Sequence, residues 1–281
     1  MSSVGYYFTG DVNLDVLKAL RLPLMGVKPF SEGGVSVQKL QDTAENIAIG
    51  LKAFTEGQVL SFNEIIISDN KTLELDTETF KKLDLASQTS TWSDTDGVAV
   101  KTTVGSNADI KVTGSLSDFQ TAGLISSSGV FSTILNSNTT NLVSQITEYS
   151  ITTSASTDAE LSAISFILDN KPSGKTVSLS VDISKSYGEN GLTAAAFINL
   201  AKLDASLTSD LIADSYPTGI EIVDTADNIK SLITSTDSAV IPAKDYIKGI
   251  SSNTNANEKI QLSWDQYLGA LSGAGFDKST T

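Results

Sequence analysis

Asp94 and Asp96, in the run Ser93-Asp94-Thr95-Asp96-Gly97, place two carboxylates two residues apart before a glycine turn. Hard oxygen ligation of calcium asks for such an arrangement. The loop does not fit an EF-hand, because its glycine comes too early and Gly105 stands where a bidentate Glu would be needed. Two readings stand: a solvated turn, and a calcium ligand pair at Asp94 and Asp96. Calcium is the one cofactor the sequence suggests. Asp42 and Asp224 invite a metal-ligand or paired-carboxylate reading as well, but each directly precedes an apolar residue pattern at helical spacing, which makes it a helix cap.

The side chains that most often carry enzymatic chemistry are missing. The 281 residues contain no Cys and no His, so there is no disulfide framework, thiolate nucleophile, Ser-His-Asp triad or imidazole metal ligand. Catalysis by two carboxylates, as in glycosidases, remains chemically open. With 33 acidic residues, however, coincidental pairs are certain, and none stands in a recognisable motif. The single arginine, Arg21, falls in a loop-like segment shortly before a proline. The expectation is a non-enzymatic protein.

The elements that would position these residues begin with an internal repeat. Asp42 to Ile47 reads D-T-A-E-N-I and Asp224 to Ile229 reads D-T-A-D-N-I. Ala44, Ile47, Ala48 and Leu51 in one copy, and Ala226, Ile229 and Ile233 in the other, predict amphipathic helices. Glu45 and Asp227 add an acid to the first turn, as a capping box and the helix dipole favour. Downstream, the alternating Leu73-Glu74-Leu75 matches Ile260-Gln261-Leu262, and second helix starts follow at Asp76-Thr77 and Ser263-Trp264. The unit is helix, loop, strand, helix. Asn46 and Asn228, at the fifth motif position, read either as an asparagine ladder onto a neighbouring unit's backbone or as solvent-facing side chains.

Fainter copies fill the middle. Lys111 to Phe119 predicts a strand leading into a capped helix, as does Val177 to Asp182 followed by Leu192 to Phe197. Ser156 to Leu161 opens another amphipathic segment. Val177-Ser178-Leu179-Ser180-Val181 suits a sheet with one buried and one hydroxyl-lined face. Ser and Thr number 39 and 30, which fits residues that both populate strands and cap helices. The predicted fold class is an α/β repeat of stacked helix-strand units, solenoid-like or layered α+β, with hydroxyl-rich strands. Three segments follow: 1–95 with the first unit, 96–219 with degenerate middle units, and 220–281 with the C-terminal unit. Ser87 to Gly97 and Ser251 to Asn257 are the most loop-like stretches.

The D-T-A-x-N-I helix start with its strand and helix resembles repeats of large bacterial surface and type I secreted proteins, S-layer or adhesin-like, in which V-x-D-T-A-x-N-I recurs. The likeness covers Leu40 to Leu83 and Ile220 to Leu271 well, and the middle loosely. It implies extracellular, adhesive or lattice-forming use, often beside calcium-binding repeats. The chain departs from that company in having no G-G-x-G-x-D nonapeptide array, so the calcium-roll mechanism does not carry over.

Composition points the same way. A net charge of −14 with one Arg disfavours nucleic acid, because phosphate binding needs clustered cations. No apolar run approaches the roughly 20 residues of a membrane span. The N-terminal M-S-S-V-G-Y-Y-F-T-G-D lacks a Sec-type signal, leaving a cytosolic protein, export by another route or a piece of a longer chain. The lack of Cys, of His and of nearly all Arg favours an extracellular or cell-surface setting. The expected function is a structural protein that self-assembles into a surface layer, filament or matrix, or serves as an adhesive module. Its partners would be further copies docking at repeat ends, or a surface glycan. Trp92 and Trp264, with Tyr6, Tyr7 and Phe8, are the aromatics that would stack on sugars or pack between subunits; buried core is the other reading for each Trp. The second function is a calcium-assisted carbohydrate-binding module, and a polysaccharide-cleaving domain using acid catalysis is the third.

Overall fold

Among the described residues hydroxyl side chains start five helices, and alternating apolar residues make the strands. The computed structural model describes residues 12–21, 38–55, 59, 62, 64–88, 92–93, 99–100, 102–105, 108–133, 142–184, 187–207, 210–253 and 263. They form a mixed α/β protein with parallel sheets. Two compact units divide the chain, Met1–Ile151 with Lys171–Ser178 and Thr152–Asn170 with Leu179–Thr281.

In the first unit, β1 (Val12–Leu14), α1 (Val16–Arg21), β2 (Gln38–Asp42), α2 (Ala44–Ala53) and β3 (Glu64–Ile67) follow one another. With β7 (Thr103–Val104) these strands make a sheet of order β1-β2-β3-β7, every neighbouring pair parallel. Parallel neighbours need a crossover between them, and α1 and α2 supply it. Arg21 is therefore the last residue of a helix and not part of a loop. Ile47 and Leu51 on α2 and Leu40 and Ile65 on the strands are fully buried, which is why the helical spacing of the apolar residues was informative.

A second sheet has the order β10-β9-β8-β4. Strand β4 (Leu73–Asp76) pairs in parallel with β8 (Ile110–Ser115), and α3 (Thr77–Gln88) follows β4 as the sequence predicts. Leu73 and Leu75 are buried while Glu74 is exposed. Strands β9 (Ile146–Ala155) and β10 (Thr176–Ile183) each begin in the first unit and end in the second. Along β10, Ser178 and Ser180 are exposed and Val177, Leu179 and Val181 half-buried, the expected hydroxyl-lined face. Tyr149 on β9 packs on Phe131 edge-on, ring centroids 4.9 Å apart, and on Phe119 of α4 (Leu116–Thr121). The stretch from Ser87 to Gly97 is not wholly loop: α3 runs to Gln88, and β5 (Trp92–Ser93) pairs antiparallel with β6 (Ala99–Val100).

The second unit contains α5 (Asp158–Asp169), α6 (Ala194–Ser206), α7 (Leu211–Ser215), β11 (Ile220–Asp224), α8 (Ala226–Ile233), α9 (Val240–Ala243) and β12 (Ile247–Ser252). Strands β11 and β12 are parallel, and Leu192 adds a parallel bridge on the other side of β11 at Ile222. Its core gathers Leu161, Phe197, Leu200, Ile212, Ile222, Ile229, Leu232 and Val240. Strand β12 carries the chain through Ser252, into the stretch that composition marks as loop.

Five helices open with the same chemistry. Thr43, Ser115, Thr157, Thr193 and Thr225 each take the backbone N–H three residues on. A hydroxyl N-cap satisfies one of the amides that a helix leaves unpaired at its start. At Ser115 the cap is a full capping box, closed by the Asp118 carboxylate.

Candidate functional site

The two D-T-A-x-N-I segments have the same atomic arrangement. Asp42 ends β2, and its Oδ1 accepts from the Thr43 amide and from Asn46 Nδ2, each at 2.8 Å. Its Oδ2 accepts the amide of Val16, the first residue of α1, at 3.1 Å. Asp224 ends β11, and its Oδ1 accepts from the Thr225 amide at 2.7 Å and from Asn228 Nδ2 at 2.8 Å. Its Oδ2 accepts the amide of Ala194, the first residue of α6, at 2.9 Å. Each aspartate thus ties its own helix start to the start of an earlier helix, α1 for Asp42 and α6 for Asp224. A third tie of the outer kind joins Asp69 Oδ1 to the amide of Ala44, the first residue of α2, at 3.1 Å.

This corrects two expectations. The cap of each helix is Thr43 or Thr225 and not the aspartate, which is the last residue of a paired strand. Asn46 and Asn228 build no ladder: both are exposed, and each gives its side-chain amide to the aspartate four residues earlier. The carboxylates are spent on structure, with three donors apiece. Burial opposes ionisation of Asp42 and Asp224, yet the asparagine and backbone donors outweigh it and hold both below the ordinary carboxylate range.

The far ends of the same two helices are also held alike, by residues without a motif. Lys82 on α3 directs its ammonium to the carbonyls of Leu51 and Phe54, at 3.0 and 2.8 Å, at the end of α2. Lys244 does so to Ile233 and Ser235, at 2.8 and 3.0 Å, at the end of α8. A cation there meets both the unpaired carbonyls and the negative end of the helix dipole. Burial lowers the pKa of Lys244.

Asp94 and Asp96, the calcium candidates, lie outside the described residues, as do Tyr6, Tyr7, Phe8, Trp264 and the strand match at Ile260 to Leu262. Trp92 is placed in β5 by its backbone alone. Among the described residues no three acidic side chains are grouped so as to hold a metal ion. Comparison of the chain with family models, with curated proteins and with solved structures finds no match in any of the three. Among the described residues no helix is long and apolar enough to cross a membrane.

A cleft of about 440 Å³ lies in the second unit, lined by Tyr187, Tyr216, Glu189, Asp214, Glu221 and Lys248 among others. Its two tyrosines are fixed from behind. Tyr187 donates its hydroxyl to Asp158 Oδ1 at 2.7 Å, and Thr193 donates to Oδ2 of the same carboxylate at 3.2 Å. Tyr216 donates to the carbonyl of Tyr187 at 3.1 Å. Burial pushes the Tyr216 phenol up to about 12, and burial followed by the Asp158 carboxylate raises Tyr187 as well. Both remain neutral hydrogen-bond donors. Neither stood out in the sequence, because Tyr187 and Tyr216 belong to no periodic pattern and meet only through the pairing of Leu192 with β11.

Proposed function

We propose that this chain is a non-enzymatic, extracellular bacterial structural protein whose stacked helix-strand repeats self-assemble into a surface layer, filament or matrix, or present an adhesive module. The observation that supports the reading is the agreement between the Asp42 and Asp224 nodes. In both, one carboxylate joins a strand end, the helix that follows it and the start of an earlier helix. Such a joint lets each unit orient the next, which is how a stack of units propagates. The same geometry extended to another copy's unit would give head-to-tail growth. The carboxylates at the nodes are consumed by donors, which leaves them unsuited to catalysis.

The test is sedimentation velocity and negative-stain microscopy of purified protein over a wide concentration range, with and without calcium. Ordered polymers or concentration-dependent high-mass species are expected, and a strictly monomeric protein at high concentration overturns the reading. A second reading, a carbohydrate-binding module assisted by calcium, is favoured by the tyrosine-lined cleft of the second unit. A melting temperature that rises with calcium or a glycan is its signature.

A further inference from the structure

The cleft of the second unit has a chemistry that narrows its ligand. Glu189, Asp214, Glu221 and Lys248 are all exposed. Among the described residues none of the four has a salt-bridge partner, whereas Lys52, Lys111 and Lys202 each hold a carboxylate. Acceptors and a donor therefore stand around one opening without satisfying one another. The tyrosine hydroxyls are already bonded, to Asp158 and to the Tyr187 carbonyl, so what half-buried Tyr216 offers a ligand is ring surface.

Each simple ligand class meets an obstacle except one. An anion would face three carboxylates, on a chain already at −14. A bare cation would have to sit beside the Lys248 ammonium, which repels it. A hydroxyl group, by contrast, both donates and accepts, so a polyol is complemented by carboxylates and an ammonium together. A pyranose also carries an apolar C–H face that lies well on a tyrosine ring. Glycines support the shape: Gly219, with φ +86°, lets the turn after Tyr216 pass close to β12, where a Cβ would come within 3.0 Å of the Tyr246 carbonyl.

We propose that this cleft is a saccharide site that takes an uncharged, hydroxyl-rich sugar unit, stacked on Tyr216 and hydrogen-bonded by Glu189, Asp214, Glu221 and Lys248. The proposal rests on the glycan-binding reading and names its location; it is independent of assembly, since every lining residue belongs to one unit. The test is saturation-transfer NMR and calorimetry on the full chain with maltose, cellobiose and diacetylchitobiose, set against an aminated and an acidic disaccharide. At least one neutral disaccharide is expected to bind with a Kd of about 1 mM, and E221Q and K248A each to weaken it about tenfold. Tyr216→Ala is expected to abolish measurable binding, while Glu45→Gln, in the first unit and outside the cleft, is expected to bind like the parent chain. Binding of a neutral sugar that none of these variants alters would overturn the site while leaving glycan binding intact. Absence of binding by every neutral sugar would overturn both, and salt-sensitive binding of the charged disaccharides alone would overturn the proposed ligand class.

Discussion

Ala194 donates its backbone N–H to Asp224 Oδ2 across 2.9 Å and 30 residues of chain, and the aspartate is buried. One carboxylate therefore holds the first amide of α6 and organises the start of α8.

Asp224→Asn should be strongly destabilising. An amide has one acceptor oxygen where the carboxylate uses two, and its NH₂ would face an N–H donor. The loss of charge-assisted bonds and a buried mismatch are expected to cost about 2 to 4 kcal/mol in urea unfolding. Asp42→Asn, at a half-buried copy of the node, should cost less, about 1 to 2 kcal/mol. Equal and negligible effects at both positions would show that the nodes add nothing to stability.

Asp84 makes the opposite pH prediction. Its side chain is buried on α3, and burial raises its pKa from 3.8 to about 6 against the amide of Leu142, which donates to it. A carboxyl whose folded pKa is raised costs no stability while both states are protonated, below the unfolded value. It costs progressively more as pH climbs toward the folded value and the full amount above it. Asp84→Asn should therefore stabilise the protein at neutral pH, by up to about 3 kcal/mol, and flatten its stability between about pH 4 and 6. Chemical denaturation at a series of pH values reads this directly. Asp42 and Asp224, held low, add stability above their unfolded values and lose it only as pH falls further.

Lys82→Met and Lys244→Met remove the cations from the ends of α2 and α8 while keeping most of the aliphatic stem. Each should cost about 1 to 3 kcal/mol, the greater loss falling on Lys244, which is 9% exposed. Hydrogen exchange should quicken in the last turn of the helix concerned and leave the other helix unchanged.

Gly191→Ala should prevent the second unit from folding. At φ +89° an L side chain is strained, and its Cβ would collide with the Val223 side chain on β11. The Leu192 bridge to Ile222 depends on that close approach. Loss of soluble expression or of a cooperative melt is the expected result, and a parent-like melt would refute it.

Much of the local architecture was legible in the sequence, and the particular failures have physical causes. The strand at Leu73 to Asp76 and the helix after it were readable because alternation and helical spacing coincide with burial. Asp42 and Asp224 were readable as a pair but misassigned by one residue. Asp and Thr are both good caps, and what decides between them is strand pairing: Asp42 is opposite Ile67 and Asp224 opposite Ser252, so the aspartate backbone is committed to a sheet and the cap passes to threonine. Asn46 and Asn228 looked outward because a helical wheel cannot show a carboxylate waiting four residues back, beyond the helix. Lys82 and Lys244 left no signal at all, since a cation reaching carbonyls of another element has no fixed spacing. The cleft was equally hidden, its lining residues lying as far apart as Tyr187 and Lys248.

The three aspartate ties to a helix start span 26, 25 and 30 residues. Closures this short and this even mean that a stretch of nascent chain can condense soon after it emerges, before the remainder has been made. Ordering then advances in increments along the polymer, and a break in one increment leaves the earlier ones intact.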